Sequence, residues 1–583
     1  MGATAVTADG GQIVAKEATP SGTARNSPTI LAAVFLGLTL LIGFTRIPLA
    51  PTWLFLFDDV NLALALDDFN PGLQKPQPPG YPMFVVQARL LRVFFGTVER
   101  TFLVCGMLAG VLAPFFLFLL GARMYSRWTG VTAALLLTLS PVFWFSSLVS
   151  PLRPYIALIS ALSAYLCYRA ASGEPRFAYY AAIAVGLGAG WRPSAVVFLF
   201  PLWLLCAWFS LRSVRRLAIA LLLMAASVLL WLGPMTADVG GPAALYKLFA
   251  EYLADNSHRT SLLYGAGFWE WSRTMVQALV WLGLPVVGWV WACPLLLAGR
   301  NRSLPASAQR DPTAFPGSRP LPVWLFYLAW LLPPAIFFGL VHVEAPGHTL
   351  YLATGSCLMG AACLDVAARR AARCLPGGMN PRYSFVAIAL GLYLVLFFFP
   401  YQMPPWRHSR GTLLRFVEHC GSWGQYALRG SSYTPIREDG QITDGCLSFL
   451  RALGRTRPLV IVWQDYDVSW REVAYYWSDT PMWMISGLTA LERRDGLVPQ
   501  LCHENRVVDR PDPAPPVRLP VPAGGRVAWL VHELSRLPEQ LRAHGVPMRQ
   551  FGSRLFVTDL ASAPTQFRAA QFVFEQERGW DGN

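Results

Sequence analysis

Long apolar runs separated by short charged stretches fill the first two thirds of the chain, and beyond about residue 400 the runs shrink to strand length. With about 20 apolar residues needed per crossing, the pattern predicts spans near 29–47, 101–121, 128–148, 154–171, 177–190, 194–211, 217–235, 274–298, 321–341, 349–368 and 383–401, about eleven in all. Arginines gather in alternate loops, at Arg123 and Arg127, Arg176, Arg212 to Arg216, Arg300 to Arg319, and Arg369 to Arg382. Keeping those loops in the cytoplasm puts the others, and the C-terminal portion, on the far side. Residues 1–27 lack apolar periodicity and read as a disordered cytoplasmic tail. Residues 28–401 then form a transmembrane domain whose first outer loop is 48–100.

Residues 402–583 carry more charge. Segments 457–464, 482–487, 525–533 and 554–560 read as strands, and 444–453, 469–477 and 535–545 as helices, an alternation that predicts a small extracytoplasmic α/β domain. The stretch Pro511 to Pro522 reads as a surface connection, and nothing in the domain matches a phosphate-binding glycine loop or a nucleophile elbow.

Composition agrees with the pattern. Of 583 residues 54% are hydrophobic and 14% charged, against near 45–50% and 25% in soluble domains. The expected class is therefore a polytopic α-helical membrane protein with a C-terminal α/β domain. The net charge of +14 comes almost wholly from loop arginines, which argues for membrane topology and against a nucleic-acid partner. The ten cysteines have neither CxxC nor metal spacing and read mostly as small buried hydrophobes.

Chemistry concentrates between Phe57 and Pro82. Asp58 and Asp59 follow the apolar run Trp53 to Phe57, at or just beneath a bilayer surface, where charge is costly and usually kept for function. A second pair follows at Asp67 and Asp68, and the segment ends in a stiff elbow, Lys75-Pro76-Gln77-Pro78-Pro79-Gly80-Tyr81-Pro82. The segment reads as a short interfacial helix bearing acid groups and then turned back toward the membrane. Aspartates that only cap a helix are the alternative.

An acidic pair in the first outer loop, a Pro-Pro-Gly-Tyr-Pro elbow behind it and a many-span body together resemble the GT-C superfamily of polytopic glycosyltransferases, in particular its protein O-mannosyltransferase-like branch and the bacterial membrane proteins grouped with it. The resemblance extends over roughly residues 29–400. It implies a polyprenyl-phosphate-linked sugar donor, a hydroxyl acceptor and inverting transfer at the extracytoplasmic face, in a bacterial inner membrane. By position it makes Asp58 the catalytic acid, with Asp59 beside it where relatives often have Glu.

Such a transfer needs a carboxylate to take the acceptor proton and fixed cations to hold the departing phosphate. Arg153 in SPLRPY and Arg192 in GWRPS, both beside prolines at broken helix ends, are assigned as phosphate contacts, the alternative being arginines that snorkel to headgroups. His342, Glu344 and His348 form a polar loop near the same mouth, read as donor contacts, ordinary loop residues or ligands of a divalent cation. Lys75 and Tyr81 of the elbow complete the expected substrate contacts. His258-Arg259 is a weaker candidate of the same kind, and the aromatic, acidic stretch Trp463 to Trp477 suits either carbohydrate binding or a packed core. A transporter or lipid-linked-sugar flippase, with the acidic pair coupled to protons, is the competing function; against it, the 58–82 pattern has no repeat in the second half.

Overall fold

The computed structural model describes residues 27–258, 260–297, 321–343, 345–373, 380–400, 412–454, 457–464, 466–478, 480–486, 498–503, 506–509, 517–532, 535–552, 554–569 and 572–578. The tail 1–26, Arg259 and Glu344 thus lie outside the described residues. The membrane body consists of α1 (Pro28–Arg46), α2 (Phe57–Leu64), α3 (Pro82–Phe95), α4 (Val98–Met124), α5 (Arg127–Leu139), α6 (Pro141–Val149), α7 (Arg153–Ala171), α8 (Arg176–Gly188), α9 (Ser194–Leu211), α10 (Val214–Val239), α11 (Pro242–Ser257), α12 (Phe268–Val290), α13 (Cys293–Leu297), α14 (Val323–Leu340), α15 (Leu350–Ala372) and α16 (Arg382–Phe398). Among the described residues helix lies at every expected span, although α7, α8 and α16 are not long and apolar enough to count as crossings alone. Among the described residues seven helices are long and apolar enough to cross a bilayer alone, and α5 with α6 counts as an eighth. The chain is an integral, multi-pass membrane protein.

Two stretches depart from expectation. The run 128–148 is not one helix: α5 and α6 meet at 53°. Pro141 has no amide to donate to the preceding turn, and Ser140 caps the new helix by accepting from the Phe143 amide at 3.4 Å. The break leaves the Thr138 carbonyl without a helical partner, and Arg46, fully buried, donates to it at 2.6 Å. Its Nε reaches Ser147 Oγ at 3.0 Å, and its guanidinium lies 4.9 Å from the Trp144 ring centroid. A guanidinium at membrane depth costs about 2.5–3.5 kcal/mol on insertion scales; these two bonds, a third to Thr45 Oγ1 at 2.8 Å and an aromatic face offset that cost, and they fix α6 against α1. The second departure is at 236–273, read as a loop, which contains the helix α11.

The first loop is built in layers. α2 is only eight residues long, and Arg89 on α3 donates to the carbonyls of Leu66 and Ala65 at 2.8 and 2.9 Å, satisfying groups that a helix end leaves open. The elbow then folds back with Gly80 at φ +94°. A side chain there would meet Met235 Sδ at 2.8 Å and Pro71 at 3.3 Å, so only glycine fits.

The C-terminal region begins with α17 (Thr412–Arg429), α18 (Tyr433–Gly454) and β1 (Leu459–Gln464), followed by α19 (Trp470–Tyr476), β2 (Met482–Ser486), β3 (Val498–His503), β4 (Arg506–Asp509), β5 (Val517–Pro522), β6 (Arg526–Val531), α20 (Leu537–Ala543), β7 (Arg549–Gln550), β8 (Leu555–Asp559), β9 (Gln566–Ala569) and β10 (Phe572–Glu577). Seven strands form one sheet in the order β4-β3-β2-β1-β6-β8-β7, and β5-β10-β9 form a second. β1, parallel to both neighbours, is buried at every position, as its apolar run Leu459 to Trp463 requires, and ends on the buried Gln464. The stretch 511–522 is corrected in part: its last six residues form β5, with Leu519 and Val521 buried, while 511–516 lie outside the described residues.

This region grips the first loop through α19. Tyr476 accepts from the Leu54 amide at 3.1 Å, donates to Glu99 at 2.9 Å and meets Trp53 edge-on at 4.9 Å. Arg471 donates to the carbonyls of Leu73 and Gln74, both at 3.3 Å, and lies over Phe57. The aromatic density that suggested sugar stacking is used here for packing between the two parts of the chain.

Candidate active site

α2 presents Asp58 and Asp59 in its first turn, where the helix dipole favours negative charge. Successive helical residues point about 100° apart, and the two carboxyls meet different surroundings. Asp59 is buried, 2% exposed. Asp58 keeps an exposed side chain although protein surrounds it closely. Burial raises the pKa of both, more for Asp59 than for Asp58. Arg153, Arg192 and a hydrogen bond from Gln77 pull Asp58 back toward the ionised form. Asp59 is eased by Arg153, raised again by the Asp58 charge, and hydrogen-bonded to Ser150 and Leu56. The pair therefore ionises stepwise, Asp58 before Asp59.

Both arginines stand at helix starts. Arg153 is the first residue of α7, and Arg192 lies two residues before α9. Arg192 Nη1 donates to Tyr81 Oη at 3.0 Å. Its turn is braced by Gln87 on α3, which accepts from Trp191 Nε1 at 2.8 Å and donates to Tyr155 at 2.5 Å. Tyr155 and Trp191 stack with centroids 5.9 Å apart.

His342 and His348 approach from the α14–α15 connection, ring centroids 5.7 Å apart, and Thr260 Oγ1 sits 3.0 Å from His342 Nδ1. Burial and then Arg192 lower the His342 pKa to about 4, so its imidazole is neutral at physiological pH. Among the described residues no group of three or more His, Cys, Asp or Glu is arranged to hold a metal ion, and Glu344 lies outside them. His258 is exposed, and its companion Arg259 is also outside the described residues.

The structure thus brings Asp58, Asp59, Tyr81, Arg153, Arg192, His342 and His348 into one neighbourhood. Lys75 is engaged elsewhere, with Asp68 at 3.1 Å, and Asp67 is held by Arg92 at 2.8 Å. Sequence reasoning missed Gln77 and Ser150, which lie within quoted motifs but carry no charge. It also passed over Gly347, in the short turn Pro346–Thr349. A Cβ at Gly347 would overlap the Arg153 side chain, with Cγ at 2.8 Å and Nε at 3.1 Å. Gly347→Ala is expected to displace that guanidinium and lower kcat/KM of sugar transfer roughly 100-fold, the scale for a 1 Å misplacement, with membrane insertion unchanged. Steady-state kinetics on the purified variant checks this, and wild-type turnover would show that Arg153 needs no such seat.

The family model for dolichyl-phosphate-mannose-protein mannosyltransferase matches residues 75–236, which include Arg153 and Arg192 but start after the acidic pair. ArnT from Cupriavidus metallidurans bound to undecaprenyl phosphate superposes with a TM-score of 0.52 at 13% identity, over 92% of this chain and 99% of that one. Its apo form gives 0.51 at 14%, with the same coverage. The chain has a GT-C fold. Across this GT-C body sequence similarity is faint, and no curated protein matches in sequence. The apo oligosaccharyltransferase of Archaeoglobus fulgidus superposes with a TM-score of only 0.37 at 14% identity, over 77% of this chain and 63% of that one.

Proposed function

We propose that this GT-C protein moves a sugar from a polyprenyl-phosphate donor to a hydroxyl acceptor at the extracytoplasmic face of a bacterial inner membrane, with inversion. The observation that carries the reading is Asp58, exposed in the first turn of α2 and flanked by Arg153 and Arg192. The acceptor oxygen attacks the anomeric carbon while Asp58 takes its proton, and the bond from that carbon to the phosphate oxygen breaks behind it. The donor is a phosphate diester with one charge, and the departing polyprenyl phosphate carries two. Two guanidinium groups at helix starts, with the Tyr81 hydroxyl beside Arg192, suit that growing charge better than a neutral lining would. Undecaprenyl phosphate bound to ArnT, a protein of the same fold, supports a lipid phosphate as the carrier.

Purified protein in lipid nanodiscs, given a panel of undecaprenyl-phosphate sugars and simple hydroxyl acceptors, is expected to release undecaprenyl phosphate in step with a new glycoside. Uptake or flipping of the lipid-linked sugar in vesicles, with no glycoside formed by any member of the panel, would overturn the reading.

A further inference from the structure

The membrane face opposite the acidic pair carries arginines of its own. α7 and α9 both start beside the candidate site and run away from it, so the turn after the 18 residues of α9 lies about 27 Å off. Four arginines elsewhere on that far face are neutralised: Arg123 and Arg169 meet Glu174, and Arg369 and Arg382 meet Asp365. Arg212, Arg215 and Arg216 are exposed at the α9–α10 turn, and among the described residues none of the three has an ion-pair partner. Arg215 and Arg216 also stand in the first turn of α10, where the helix dipole disfavours cations and no acidic residue offsets them.

Beside these arginines a cavity of about 220 Å³ opens between the end of α9 and the start of α10. Trp208, Leu211, Val214 and Leu217 form its apolar wall, and Arg212 and Ser213 its polar rim. α10 leans instead on α8, where a Cβ at Gly186 would meet the Met224 carbonyl oxygen at 2.7 Å. Ser213 spends no side-chain bond on capping α10. Arg212 holds the turn at φ +49°, a conformation that a Cβ disfavours; among the described residues the other non-glycine cases are Gln74 and Tyr81, both in the elbow at the candidate site.

We propose that this cavity binds an anionic phospholipid of the bilayer, its phosphate against Arg212 and Ser213 and an acyl chain along Trp208, Leu211 and Leu217. Charge complementarity selects the occupant. Three unpaired guanidinium groups attract a headgroup whose only charge is its phosphate, whereas a choline headgroup would bring a further cation among them. The apolar wall selects a lipid over a soluble phosphate, which would leave that wall in water. The site is independent of the sugar chemistry on the other face.

Purified, delipidated full-length protein is titrated with phosphatidylglycerol or phosphatidylcholine, and native mass spectrometry counts the bound lipid. Phosphatidylglycerol is expected to bind more tightly. Arg212→Gly should weaken it about fivefold, the scale for one arginine near a bilayer surface, and since glycine suits the left-handed turn, misfolding is not the cause. Arg212→Gln combined with Arg215→Gln and Arg216→Gln should weaken it about a hundredfold on the same scale. Removing as many charges from the same face, by Arg127→Gln with Arg370→Gln and Arg373→Gln, is expected to leave binding unchanged, as is an excess of glycerol phosphate. Should the first triple variant fail to insert, Arg212→Gly still decides. Undiminished binding in Arg212→Gly, equal losses in the two triple variants, no preference over phosphatidylcholine, or displacement by glycerol phosphate overturns the assignment.

Discussion

Asp58→Asn is expected to reduce sugar transfer by about a hundred- to ten-thousand-fold, the range for losing a general base, while expression and membrane insertion stay intact. Asparagine keeps the size of the side chain and its contact with Gln77, but it cannot take the acceptor proton. The wild-type pH profile should carry the same signature. Because burial raises the Asp58 pKa against the pull of both arginines, the ionised base is depleted as pH falls, starting from higher pH than for an ordinary carboxylate. The rate therefore rises with pH through that limb, and the limb disappears in the asparagine variant. Retained turnover in that variant, or a flat wild-type profile, would remove Asp58 from the reaction.

The second large effect is expected at the phosphate side. Arg192→Ala and Arg153→Ala should each weaken undecaprenyl phosphate binding by about 10- to 150-fold, corresponding to about 1.5–3 kcal/mol for a hydrogen bond to a charged group. Transfer should fall further than binding, because the leaving group gains charge as the bond breaks. Arg192→Lys is expected to recover little, since an ammonium lacks the planar fork that meets two phosphate oxygens together. Calorimetry with undecaprenyl phosphate, paired with transfer kinetics, separates the two contributions. Undiminished binding in both alanine variants would mean the arginines face something other than the carrier.

These residues were legible in the sequence because each breaks a local rule. Asp58 and Asp59 put charge at the end of an apolar run, and Arg153 and Arg192 stand beside prolines that interrupt helices. Lys75 broke a rule as well, but Asp68 seven residues earlier accounts for it. Gln77 and Ser150 break none, and their roles come from facing the acids across the fold. Gly347 acts through the volume it leaves empty, which no residue-by-residue reading registers.

The same distinction holds for the fold. Hydropathy placed a helix at every expected span among the described residues, because the bilayer imposes length and polarity on each segment separately, but it counted α7, α8 and α16 as crossings, which by length and composition they are not alone. It could not see the bend between α5 and α6, since both arms are equally apolar. In the C-terminal region β1, β2, β6 and β8 announced themselves as apolar runs. β5 did not, because Pro520 and Pro522 interrupt it. As the edge of its sheet, paired only with β10, it has a free side on which a missing amide costs nothing.

The hold of α19 on the first loop is largely a hold on main chain: the amide of Leu54 and the carbonyls of Leu73 and Gln74. Such bonds are indifferent to which side chains those positions carry. Mutational drift can thus rewrite much of the loop's surface, and with it the preference for one sugar over another, while the path of the backbone stays in register beneath.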